Sequence, residues 1–191
     1  MEDSIAQHEK YMNELFATCL SYDHTLRARI GGNPPTLIED KIPDDYRFYA
    51  TLHHPDKEGL MLSILLHNDF DTLLENNIYP NISVKILEHA HGPIGTKNHK
   101  SFPNLKMCSI SDYTIENESD FLFLKVGGEP RLIQPKSYFY KQLAEHNYSF
   151  FLQVEEEGYC EGLDYVFMYG ALYLYKHNIT NEVIAGFWQY S

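Results

Sequence analysis

The sequence predicts an α+β protein with two repeated halves, each carrying mixed or antiparallel sheets, and an N-terminal helix. Residues 4–20 space their apolar side chains at helical intervals. Short apolar and aromatic segments elsewhere follow strand period. A Gly-Gly-x-Pro loop occurs twice, each time ahead of an aromatic strand.

The predicted elements follow in chain order. Ser4 is positioned as an N-cap, and Ile5, Met12, Leu15, Phe16, Cys19 and Leu20 form the stripe of a helix over 4–20. Ile30-Gly31-Gly32-Asn33-Pro34-Pro35 breaks the chain. Tyr46–Leu52 reads as a strand, residues 53–59 as a polar loop, and Leu60–Leu66 as a buried strand. Asp69–Asn76 suits a short helix. Ile82–His89 alternates apolar and polar residues, as a half-buried strand does. Residues 91–120 are rich in Gly, Pro, Asn, Ser and Lys and read as a connector. Phe121–Val126 is a strand, 137–146 a short helix, Tyr148–Val154 a strand and Glu155–Asp164 an acidic loop. Val166–Tyr175 reads as a strand interrupted by Gly170, and Glu182–Tyr190 as the last strand.

The halves, about 27–90 and 121–191, repeat one order of elements within a single compact domain of 191 residues. Ile30-Gly31-Gly32-Asn33-Pro34 is matched by Val126-Gly127-Gly128-Glu129-Pro130. Tyr46–Leu52 is echoed by Tyr148–Val154, and His67-Asn68 by His177-Asn178. Glycine tolerates positive φ and proline ends a segment, so the loops read as tight strand exits. Neither continues as a phosphate-binding fingerprint.

Apolar residues make up 43% and charged residues 22%, enough apolar surface for a core. The net charge of −12 argues against nucleic acid and anionic membranes, which need concentrated Lys and Arg. It permits a basic protein partner. The longest apolar runs are too short to span a bilayer. No basic segment followed by an apolar stretch opens the chain, so no signal peptide is expected. Three well-separated cysteines, Cys19, Cys108 and Cys160, form no CxxC pair. Reduced thiols in a cytoplasmic protein are the expectation, with no metal and no cofactor.

Lys125-Val126-Gly127-Gly128-Glu129-Pro130, then Phe150-Phe151-Leu152-Gln153-Val154, then Gly170-Ala171-Leu172-Tyr173 resemble the bacterial YwqG-like family over about the last 70 residues. That family has no established activity. The resemblance implies an α+β fold, and for those members in toxin loci an immunity role. It brings no catalytic residues with it.

Candidate chemistry is sparse. His53-His54-x-Asp56 offers three metal ligands, and His89 and His91 share one side of a strand. Surface histidines in turns are the competing reading. No GxSxG or HExxH occurs. Cys160 lies among carboxylates, which raise a thiol pKa and blunt a nucleophile. The most informative stretch is Glu155–Asp164, with five carboxylates around Tyr159. It lacks the rigid pair of a glycosidase and the alternate oxygens of a calcium loop. It reads either as a solvated charged loop or as a docking surface.

The functional expectation is a cytoplasmic, non-enzymatic immunity-type protein that masks the active site of a basic toxin. Glu155, Glu156, Glu157, Tyr159, Glu161 and Asp164 are its expected partner-binding residues. The alternative is a small-molecule-binding or enzymatic domain with a cleft between the halves.

Overall fold

The structure is a computed structural model and describes residues 14–72 and 74–191. It is built from two antiparallel sheets, and its α-helical content among those residues is α1 (Lys141–Glu145). This overturns the α+β expectation. The predicted N-terminal helix lies partly outside the described residues. Its remainder is extended: β1 (Leu15–Ala17) and β2 (Cys19–Ser21). Helical spacing misled here because a few apolar residues in a row suit two three-residue strands equally well. What decides is the pairing partner, which lies about a hundred residues away and leaves no trace in local period.

The first sheet holds β2, β3 (Arg29–Ile30), β4 (Tyr46–His53), β5 (Leu60–His67), β6 (Val84–Ala90) and β7 (Cys108–Ile110), in the order β2-β7-β3-β4-β5-β6. The second holds β1, β8 (Leu124–Val126), β9 (Tyr148–Glu155), β10 (Ala171–His177) and β11 (Val183–Gln189), in the order β1-β8-β9-β10-β11. The chain passes from one sheet to the other at Thr18, whose N–H donates to Ser111 Oγ at 2.9 Å.

Each sheet contains a four-stranded meander, β3-β4-β5-β6 and β8-β9-β10-β11, with closely matching registers. Ile30 faces Ala50 as Val126 faces Leu152; Leu52 faces Leu62 as Val154 faces Leu172; Met61 faces His89 as Ala171 faces Gln189. The Gly-Gly-x-Pro loops leave β3 and β8 at the same place. All four of their glycines have positive φ, between 63° and 72°, a conformation that side chains with a Cβ resist.

Strand alternation makes one face of each sheet apolar. These faces pack together, with Tyr49, Leu52, Leu62 and Ile64 from one sheet and Leu152, Val154, Leu172, Leu174 and Trp188 from the other in one core. Truncating a residue as enclosed as Leu172 to alanine costs about 2–5 kcal/mol. The outer faces are covered separately. Ile38 and Ile42 lie over Tyr46, Phe48 and Leu65. Phe139 and Leu143 lie over Tyr173, Tyr175 and Phe187. Both covers stop short of one end of their sheet, and each uncovered end is a cleft.

Candidate functional site

The larger cleft, about 620 Å³, lies over the end of the second sheet. Alternation along β9 sends Val154 into the core and Gln153 and Glu155 to the outer face, which forms the floor. The floor is a closed polar network. Gln153 donates to Glu155 Oε1 at 2.6 Å, the Arg131 N–H donates to Gln153 Oε1 at 2.7 Å, and the Tyr173 hydroxyl donates to the Arg131 carbonyl at 2.7 Å. Arg131 leaves the Gly-Gly-x-Pro loop over this floor. Its guanidinium lies 3.6 Å from Glu155 and 2.7 Å from Glu157. Glu155 is 4% exposed. Burial raises its pKa to about 7 against the opposing pull of Arg131, while Glu157 adds to the rise. This carboxyl therefore changes charge near neutrality.

The rim is aromatic. Tyr165 and Tyr169 pack with ring centroids 4.1 Å apart, and both are exposed together with Phe121 and Ile133. Met168 and Tyr169 hold positive φ, 53° and 59°, which non-glycine residues seldom do. Glu156 imposes that conformation. Its carboxylate accepts N–H bonds from Val166, Phe167 and Gly170, the last at 2.9 Å, and winds the segment around itself. Gly170 is required there, because a Cβ would sit 2.1 Å from the Gln189 carbonyl oxygen and 2.3 Å from that of Phe167.

The six residues expected to dock a partner are therefore divided. Glu157, Glu161 and Asp164 are exposed. Glu155 is the buried floor of the cleft. Glu156 is fully buried and holds the backbone, so it presents no charge to a partner. Tyr159 is half-buried, its hydroxyl bonded to that of Tyr49 between the sheets. A run of carboxylates in sequence does not reveal which of them backbone N–H groups will claim. Sequence reasoning missed Phe121, Arg131, Tyr165 and Tyr169. The available signals were the Tyr165-x-x-x-Tyr169 pair ahead of Gly170 and the arginine directly after the second Gly-Gly-x-Pro loop.

A smaller cleft, about 310 Å³, occupies the corresponding end of the first sheet. Arg27, Arg29, Thr51, His89 and His91 line it. The buried Arg29 guanidinium donates to the carbonyls of Gly31 and Asn33 and stacks 4.9 Å over Phe48. Thr51 Oγ1 is buried without a hydrogen-bond partner. Thus the clefts lie on the outer faces, and the space between the sheets is core.

Among the described residues the histidines do not assemble a metal site. His89 Nδ1 meets the Ala90 carbonyl at 2.7 Å and so donates, leaving Nε2 to accept from Ser63 Oγ at 2.7 Å. His54 is buried facing Glu88 at 3.4 Å, and its Nδ1 accepts the Asp56 N–H at 3.1 Å. The Asp56 carboxylate pairs with Lys176. Among the described residues, the one cluster with metal-ligand spacing is Cys19, Cys108 and Cys160. Burial raises the pKa of both Cys19 and Cys108, which leaves neither poised as a nucleophile. No helix among the described residues is long and apolar enough to cross a membrane. No family model matches the chain, and no curated protein matches it.

Proposed function

We propose that this chain is a binding protein whose working surface is the aromatic cleft of the second sheet, and that it receives a basic side chain of a protein partner there. The observation that carries the reading is the grouping of exposed Tyr165, Tyr169 and Phe121 with two carboxyl groups, the buried Glu155 beneath them and the exposed Glu157 at the rim. Exposed aromatics over a largely desolvated polar floor are the composition of a protein-binding anchor point. Arg131 holds the carboxylates in the free protein, and an incoming Lys or Arg takes its place or joins it. The net charge of −12 favours encounter with a basic partner. The toxin-neutralising form of this function rests on the resemblance to YwqG-like chains.

The test is capture from the source cells by the tagged chain, alongside a variant combining Tyr165→Ala, Tyr169→Ala and Glu157→Lys. The captured protein should be basic, should be lost with the variant, and should harm cells that lack this chain. Equal recovery by both chains, or an acidic captured protein, rejects the reading.

The smaller cleft supports a second reading, a small anionic ligand. There the buried, unpartnered Thr51 hydroxyl faces a space lined by Arg27 and His91. Inorganic phosphate or a simple carboxylate should raise Tm in wild type and leave a Thr51→Val variant unchanged.

A further inference from the structure

Cys19, Cys108 and Cys160 are all the cysteines of the chain, and the fold brings the three together. The β2–β7 register sets Cys19 opposite Ile110 and Cys108 opposite Ser21. The two thiols are therefore diagonal neighbours on the core-facing side of the first sheet. Cys160 arrives on the turn that follows β9 of the second sheet. Its sulfur lies 2.9 Å from that of Cys108, and all three sulfurs fall within 4.8 Å of one another. None is in a disulfide, and an odd number leaves one thiol over whichever pair were oxidised. Buried cysteine packs as a small apolar residue, which accounts for burial. It does not account for three separate segments delivering their sulfurs to one point.

We propose that Cys19, Cys108 and Cys160 form a three-coordinate site between the sheets for a soft, thiophilic metal ion of the copper(I) kind. Metal–sulfur bonds of ~2.3 Å in a trigonal arrangement put the sulfurs about 4 Å apart. The cluster already has that scale, and Cys160 must draw back from Cys108 by about 1 Å. Cys160 is the ligand placed to do so. It is partly exposed, on a turn with exposed Gly162 at φ +80°, and so also provides the entry path.

Among the described residues no histidine or carboxylate joins the three sulfurs. Structural zinc takes four protein ligands, whereas soft thiolates select copper(I). Binding breaks three S–H bonds, forms three metal–sulfur bonds and releases three protons to solvent; no electron is transferred. The complex carries net negative charge, and Lys106 is the nearby cation. Its Nζ donates to the Glu161 carbonyl at 3.2 Å, on the Cys160 turn. The site is separate from the aromatic cleft, so either can fail alone.

The test uses the full, reduced chain titrated anaerobically with copper(I) against a chromophoric chelator, with metal-to-protein ratio measured by elemental analysis. One ion per chain is expected, along with thiolate-to-metal absorption in the ultraviolet. Bound copper should shield Cys160 from a thiol reagent. Cys160→Ser, a change in a partly exposed turn that leaves the near-ultraviolet circular dichroism intact, should weaken binding by about 100-fold or more. Copper left with the chelator, equal affinity in Cys160→Ser, or undiminished reaction of Cys160 in the presence of copper would each overturn the proposal. So would tighter retention of zinc(II) than of copper(I).

Discussion

Tyr49 and Phe151 stand at the same bulged position of their two sheets. The carbonyl of each accepts the N–H of the first glycine in a Gly-Gly-x-Pro loop, from Gly31 at 2.8 Å and from Gly127 at 2.9 Å. The bulge removes these residues from the strand ladder and turns their carbonyls to the loop. The loop then directs the chain over the outer face, where it lines a cleft: Pro35 in the first sheet, Arg131 in the second.

The first prediction concerns that loop. Gly31 has φ +70°, and a Cβ there would lie 2.7 Å from the Lys106 carbonyl oxygen, which is backbone and cannot swing away. Gly31→Ala should cost about 3 kcal/mol, from left-handed strain plus displaced backbone. Gly59, at φ +77° in open space, pays only the strain, about 1 kcal/mol. Urea denaturation of the two variants measures the difference. Equal losses would mean that crowding at Gly31 carries no energy.

The second separates two adjacent glutamates. Glu156 is fully buried and its carboxylate holds the N–H groups of Val166, Phe167 and Gly170. Glu156→Ala should cost about 3 kcal/mol, because three buried donors lose their acceptor. Glu157→Ala removes a solvent-screened pair with Arg131 and should change stability by less than about 0.5 kcal/mol. Equal Tm values for the two variants would remove Glu156 as the organiser of the Tyr165–Tyr169 rim.

These cases show what the sequence made legible. Tyr46–Leu52, Leu60–Leu66 and Tyr148–Val154 could be read as strands because they are long, apolar and bounded by turn residues. The end of Phe121–Val126 also holds a strand, β8, but the two- and three-residue strands β1, β2, β3 and β7 could not be read. They are too short to show a period, and they exist only because a distant strand offers them an edge. Thus the expected connector, 91–120, contains β7, which lies between β2 and β3. The strand expected over 166–175 begins at Ala171, because Glu156 takes the N–H groups ahead of it. In the same way the acidic stretch was visible but its division into floor, backbone anchor and surface was not. That division depends on which residues the fold buries.

The third prediction is a pH dependence. Glu155 is raised to about 7 by burial, with Arg131 and Lys125 opposing the rise and Glu157 adding to it; Gln153 and Tyr173 are its neutral neighbours. A carboxyl whose folded pKa exceeds its unfolded value binds its proton more tightly when folded. Its contribution is fully present below about pH 4.5 and is lost as pH rises toward about 7. The loss is on the order of 3 kcal/mol. The partly buried His53 and the buried His54 and His89 are lowered by desolvation and so slope the other way. The difference between wild type and Glu155→Gln isolates the carboxyl. Wild type should lose stability relative to the variant between about pH 4.5 and about pH 7. Parallel curves across that window would place the Glu155 proton outside it.

The last prediction dissects the cleft once a partner is in hand. Glu157 is a rim charge, so Glu157→Lys should slow association at low salt and flatten its salt dependence. The defect should fade as salt rises, because screened charges no longer steer. Tyr169, 67% exposed and packed on Tyr165, is instead a contact surface. Tyr169→Ala should speed dissociation by about 10- to 100-fold and leave the salt dependence of association unchanged. Stopped-flow association and surface-bound dissociation read the two effects separately. A partner whose dissociation ignores Tyr169 does not dock at this cleft, whatever Glu157 does to its approach.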